Sequence, residues 1–184
     1  MRLRFLQAAS SALAAAFLLA AGPAFAQASE QAVKAAFIPK FTRYITLPAS
    51  AQPGAGQPYY LCVIGRDPFG PLLDRAAAAE LVDGHAVAVR RFANTDVGAV
   101  AGCHLAFVAG ASDQATGAMI ETLRRQPTFT ITDARSGRTR GMVHFAVVDG
   151  RVRFHIDQNA ASQRGIVISS RLLALAVDVK QSAP

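Results

Sequence analysis

The sequence predicts an α/β fold: a three-layer α/β/α sandwich with a mixed central sheet and a C-terminal β-hairpin. Three observations predict it. Short apolar runs of strand length alternate with runs of helical period between residues 59 and 177. Two alternating runs near the C-terminus are joined by Asp149-Gly150, a strong two-residue hairpin turn. The first 26 residues stand apart from both patterns as a leader.

That leader has the three-part grammar of a secretory signal peptide. Arg2 and Arg4 supply a basic start, Leu13 to Ala21 an apolar stretch, and Gly22-Pro23 a helix breaker. Ala24-Phe25-Ala26 places small residues where a signal peptidase reads them. The apolar stretch is shorter than the roughly 20 residues of a spanning helix. The expectation is cleavage after residue 26, with residues 27–184 forming one domain in an oxidising compartment. ATP, NAD and cytosolic nucleic acid are out of reach there.

The chain of 184 residues carries 19 Lys and Arg against 12 Asp and Glu. Two of those arginines and none of the acids lie in the leader, so the remainder stays basic. A basic surface favours anionic partners. Nucleic acid does not fit, because no basic run is interleaved with aromatics. The content of Val, Ile, Leu and Phe is too high for disorder.

Taken in order, residues 30 to 47 read as an amphipathic helix. Val33, Ala36, Phe37, Phe41, Tyr44 and Ile45 form its apolar stripe, with Lys34 and Lys40 elsewhere around the turn. Pro39 should kink or split it. Residues 48 to 58, rich in Pro, Gly and Ala, form a loop. Tyr59 to Ile64 is a strand. Asp67 then caps a helix that runs to about Ala79, with Pro68 in its first position. Ala86 to Phe92 and His104 to Val108 are the next strands, and Val97 to Ala101 between them is ambiguous. Asp113 to Arg125 is a helix with an acid at its start and arginines at its end. Thr128 to Thr132 is a strand.

In the hairpin, Met142 to Val148 pairs with Arg151 to Ile156. Pairing Val148 with Arg151 places Val147 opposite Val152, Phe145 opposite Phe154 and Val143 opposite Ile156 on one apolar face. The other face sets His144 opposite His155, with Arg153 beside Ala146. Asp157 to Arg164 is a short helix ending at Gly165. Ile166 to Ile168 is a strand, and Ser169 or Ser170 caps a last helix from Arg171 to about Val177.

No catalytic set emerges from these residues. There is no G-x-S-x-G, no H-E-x-x-H and no phosphate-binding glycine loop with a Lys-Ser/Thr. No cofactor is called for, and the chain reads as a non-enzyme. Gly65-Arg66-Asp67-Pro68-Phe69-Gly70 lies at a strand-to-helix junction, where a crevice at the strand ends could take a small ligand together with residues 110–113. His144 and His155 could share a metal with Asp157 or Asp133, or lie on a solvent face. Arg135, Arg138 and Arg140 crowd one loop beside Arg151 and Arg153, either a mobile solvated loop or a docking surface for an acidic partner. Cys62 and Cys103 read first as a disulfide in an oxidising compartment, worth about 4 kcal/mol, and otherwise as two buried thiols. Cys103 in the loop before its strand would ease the awkward geometry of a bond between adjacent parallel strands.

Six segments in order resemble the YfiR-like family of periplasmic proteins. They are Val33-Lys34-Ala35-Ala36-Phe37, the run from Leu61 to Gly70, Cys103-His104-Leu105-Ala106-Phe107-Val108, Gly141-Met142-Val143-His144-Phe145, Val152-Arg153-Phe154, and Ile168-Ser169-Ser170-Arg171-Leu172-Leu173. The resemblance spans residues 30 to 178. It implies a small α/β/α sandwich in the periplasm. It implies a regulator that binds and restrains the periplasmic sensor region of an inner-membrane GGDEF diguanylate cyclase, so lowering cyclic di-GMP signalling and biofilm formation. An OmpA-like outer-membrane lipoprotein as a sequestering partner, a homodimer and redox-sensitive disulfides are also implied. Cys62 and Cys103 match cysteine positions of the family, although this chain lacks the second cysteine pair of some relatives. Its N-terminal helix reads Ile38-Pro39-Lys40 and Leu47-Pro48, where relatives usually end in Trp-Pro. The candidate partner or ligand surface comprises Arg66, Asp67, Phe69, Arg135, Arg138, Arg140, Arg153 and Arg171.

Overall fold

The computed structural model describes residues 22–181. Helix α1 (Gly22–Phe37) gives way to a 3-10 turn over Pro39–Tyr44. Proline at that point lacks the N–H that would continue the helix, so the expected split occurs there. Gly22-Pro23 lies in the first turn of α1, where a proline is tolerated. The leader upstream of residue 22 lies outside the described residues.

A central sheet of eight strands follows. Its members are β2 (Tyr59–Gly65), β3 (Leu81–Val82), β4 (His85–Phe92), β5 (Leu105–Ala109), β6 (Phe129–Asp133), β7 (Val143–Val148), β8 (Arg151–Asp157) and β10 (Asp178–Lys180), in the spatial order β10-β8-β7-β6-β5-β2-β4-β3. β4, β2, β5, β6 and β7 run parallel to their neighbours in turn, and β10 is parallel to β8. The β7–β8 hairpin and the β3–β4 pair are antiparallel. A separate pair joins β1 (Ile45–Thr46) to β9 (Val167–Ile168). The connecting helices are α2 (Pro71–Ala78), α3 (Val97–Val100), α4 (Asp113–Leu123), α5 (Gln158–Ser162) and α6 (Ser170–Leu173).

Strand side chains alternate between two cores, as a pleated sheet covered on both faces requires. Leu61, Val63, Leu105, Phe107, Phe129, Ile131, Phe145 and Phe154 face the larger core. Phe41 from the 3-10 turn sits among the rings of Phe129, Phe145 and Phe154 there, with centroids 5.7 to 6.1 Å away. Cys62, Ile64, Ala106 and Val108 face a smaller core, closed by Val100, Cys103, Ile120 and Leu123. The α/β sandwich with its mixed sheet and C-terminal hairpin is therefore as expected.

Several local expectations change. The buried stripe of the N-terminal segment is Lys34, Ala35, Ile38, Phe41, Thr42 and Ile45, while Val33, Ala36 and Phe37 are exposed. The helix is rotated from its hydrophobic pattern because Lys34 finds carboxylates in the interior. The second helix begins at Pro71, after Gly70 at φ 48°, and not at Pro68. Asp67 instead accepts from the Phe69 and Gly70 amides at 2.8 and 3.1 Å, closing the turn before the helix. Asp113 lies in the first turn of α4, as expected, and Ser112 caps the helix, accepting from the Ala115 amide. The last helix stops at Leu173. The chain then joins β8 as β10, beginning with the Val177 amide on the Phe154 carbonyl.

Candidate functional site

The candidate residues fall into four places. At the C-terminal ends of β2 and β5, the backbone closes on itself. The Arg66 amide donates to the Ala109 carbonyl at 2.7 Å and its Nε to the Gly110 carbonyl at 3.1 Å. A Cβ on Gly65 would stand 2.3 Å from the Ala109 oxygen, so only glycine allows this approach. Arg91 donates to Asp67 at 2.7 Å and to both oxygens of Asp74. Burial raises the Asp67 pKa, but Arg91 and the two turn amides outweigh it and hold the carboxyl below its usual range. The polar atoms of this junction are committed to one another, which leaves the strand-end crevice little to offer a ligand. Phe69 is 3% exposed and stacks edge-on against Phe107 with centroids 4.7 Å apart. It is a core residue and leaves the candidate surface. Arg66 remains exposed.

The second place was invisible to sequence reasoning. The Lys34 ammonium, fully buried, donates to Glu30 Oε1 at 2.5 Å and to Asp133 Oδ2 at 2.6 Å. Arg135 closes the other side. Its guanidinium donates to both Glu30 oxygens, at 3.1 and 2.6 Å, and its amide to Asp133 Oδ1 at 3.0 Å. Arg135, then Lys34, hold the Glu30 carboxyl below its usual range against the opposing effect of burial. Two cations and two anions neutralise one another where α1 crosses the end of β6. Arg135 stays exposed in the arginine loop, with its guanidinium paired to Glu30. Its loop neighbour Arg138 is exposed and contributes to the field on Asp113, whose carboxyl the Thr139 amide chiefly holds low. Arg171 is exposed at the start of α6.

The third place is the hairpin's second face. His144 and His155 stand opposite one another in register, as expected. Neither a metal site nor an open solvent face describes them. His144 is only 4% exposed, with Nδ1 2.8 Å from the Thr132 hydroxyl. Asp133 points through the opposite face to Lys34, so it cannot join the pair. Among the described residues no group of three or more His, Cys, Asp or Glu could hold a metal ion. Burial first, then the Arg140 guanidinium, push the His144 pKa down to about 4. Arg140 and Arg153 share this side of the sheet with the histidines, by the cleft lining and the strand alternation respectively.

The fourth is the disulfide. Cys62 and Cys103 are bonded, with Cα atoms 5.8 Å apart. Cys62 lies within β2, opposite Ala106, whereas Cys103 precedes β5 in a turn held by its amide on the Val100 carbonyl. The bond therefore does not span two residues in register, which removes the geometric difficulty. Beside it His104 Nδ1 accepts from the Tyr60 amide at 2.8 Å, and the Arg90 guanidinium lies 3.2 Å over the Tyr60 ring. Burial, then Arg90, lower the His104 pKa.

No helix among the described residues is long and apolar enough to cross a membrane. Compared with known proteins, the chain matches a family model described as YfiR/HmsC-like over residues 31–177. No curated protein matches it.

Proposed function

This chain belongs to the YfiR/HmsC-like family, periplasmic regulators of diguanylate cyclase signalling without catalytic activity, and we propose that it restrains one such cyclase by direct contact. It enters the periplasm through a cleaved leader of residues 1–26 and works there as one domain, residues 27–184. Its target is the periplasmic sensor region of an inner-membrane GGDEF protein. Binding holds that region in its inactive arrangement and lowers cyclic di-GMP. The family match over residues 31–177 carries this reading. The fold is consistent with it: the charged clusters at Asp67 and Lys34 are engaged in holding helices to the sheet.

The exposed members of the candidate surface are Arg66, Arg135, Arg138, Arg140, Arg153 and Arg171, all cations, with Arg135 paired to Glu30. An acidic patch on the sensor region is their chemical complement, and such contacts act chiefly on association rate and specificity. An OmpA-like lipoprotein that competes for the same surface, and a homodimer, are further parts of the proposal. The test pairs two measurements. Loss of the gene raises cyclic di-GMP, and the mature protein binds the isolated sensor region in vitro. Charge reversal at Arg138 and Arg153 weakens that binding at least tenfold at low salt. Unchanged cyclic di-GMP together with no binding would falsify the proposal.

A further inference from the structure

A cleft of about 570 Å³ runs across the hairpin's second face, lined by Arg124, Arg140, His144, His155, Asp157 and Lys180 among others. The smaller core stops short of it. Cys62, Ile64, Ala106 and Val108 are covered by α3 and α4, but towards β7 and β8 the same face turns polar, with Thr130, Thr132 and His144 buried there. This is a volume typical of a small-ligand site.

Its chemistry is cationic on balance, with Arg124, Arg140 and Lys180 against Asp157 and Asp178, and incompletely satisfied. His155 Nδ1 is buried with no hydrogen-bond partner, and so is Nη1 of Arg164. Arg164 lies within the electrostatic reach of Arg124 and Asp157, both lining residues, and burial then Arg124 lower its pKa. A buried donor without an acceptor costs free energy comparable to a lost hydrogen bond. Lys180 pairs with Asp157 at 3.2 Å, and Arg124 with Glu121 at 3.1 Å. Both pairs are solvent-accessible and weak enough to rearrange around a stronger acceptor.

We propose that this cleft binds a small oxyanion, a phosphate or carboxylate group, held by Arg140 and Arg124 with His155 Nδ1–H as a further donor. Charge-assisted hydrogen bonds from guanidinium groups suit either ligand. The proposal does not depend on the partner reading: the site would bind its anion with no second protein present.

The test is calorimetry on the purified mature protein with two probes, inorganic phosphate and succinate, each against chloride at matched ionic strength. Saturable binding of one probe is expected, weakened at least tenfold in Arg140→Gln and in His155→Phe and unchanged in Arg75→Gln. Arg75 is a fair control because it is exposed on α2, which packs through Leu73 and Ala77 into the larger core. The imidazole resonances of His155 in the unsubstituted protein should shift during the titration, a readout that survives any folding defect of the variants. Which probe binds distinguishes a phosphate from a carboxylate ligand. Absence of saturable binding by both, equal weakening in Arg75→Gln, or unmoved His155 resonances overturns the proposal.

Discussion

Lys34 Nζ lies 2.6 Å from Asp133 Oδ2, with the two side chains 0% and 2% exposed and the residues 99 positions apart in sequence. This contact fixes the N-terminal helix to the end of a central strand. Removing Lys34 leaves Asp133 as a buried charge without its cation, at a cost of about 3–5 kcal/mol. Lys34→Met should lower stability by that order in urea denaturation, and Asp133→Asn by less, because Glu30 still pairs with Lys34. The double variant Lys34→Met with Asp133→Leu should lose less than the sum. Strict additivity would show that the two residues are not coupled.

The disulfide closes a loop of 41 residues. Cys62→Ala with Cys103→Ala should reduce stability by about 4 kcal/mol, with a fall in Tm of about 10 °C. Calorimetric melting with and without reductant checks this, and the variant should no longer respond to reductant.

Acid should weaken the fold as the pH falls below about 6.5. The unfolded His144 takes up a proton near pH 6.5. The folded one resists until about 4, because of burial, then Arg140, with His155 and Lys34 acting in the same sense and Asp133 against. Stability from this group is complete above pH 6.5 and is lost as pH falls from there to about 4, a total of about 3 kcal/mol. His104, also lowered, adds to the same slope. His144→Asn should flatten the dependence of the urea midpoint between pH 7 and 4.5; a variant with an undiminished slope contradicts the assignment.

Gly65 and Gly56 both have positive φ, 87° and 73°. A Cβ at Gly56 meets nothing within 4 Å, but one at Gly65 meets the Ala109 carbonyl. Gly56→Ala should cost about 1 kcal/mol from conformation alone, and Gly65→Ala more than about 2 kcal/mol because strand β2 must also move from β5. Chemical denaturation of the two variants side by side gives the comparison.

The hairpin was fully legible in the sequence because two signals agreed: Asp149-Gly150 set the turn, and the period of two set the faces, so every pairing from Val143–Ile156 to Val148–Arg151 follows. The alternation of strands and helices gave the layers for the same reason. Strand β10 was not legible, since Asp178-Val179-Lys180 carries no strand signal and pairs only because β8 offers an open edge. The N-terminal helix was misoriented because hydrophobic periodicity puts every lysine in water, and nothing near Lys34 in sequence reveals Asp133. The histidine pair could be placed opposite one another, but its depth could not, since that depends on Thr132 and Arg140 from other segments.

The two faces of the sheet have unequal means of staying closed. The larger core is a broad apolar layer centred on Phe41. Among the described residues, two of the eight buried side chains in the smaller core are the bonded cysteines. Helices α3 and α4 lean on that smaller set, so they form a cooperative unit distinct from the rest. Reduction would let their amides exchange with solvent hydrogen while those of β6 and β7 stay protected, giving the molecule a partly opened form well short of unfolding.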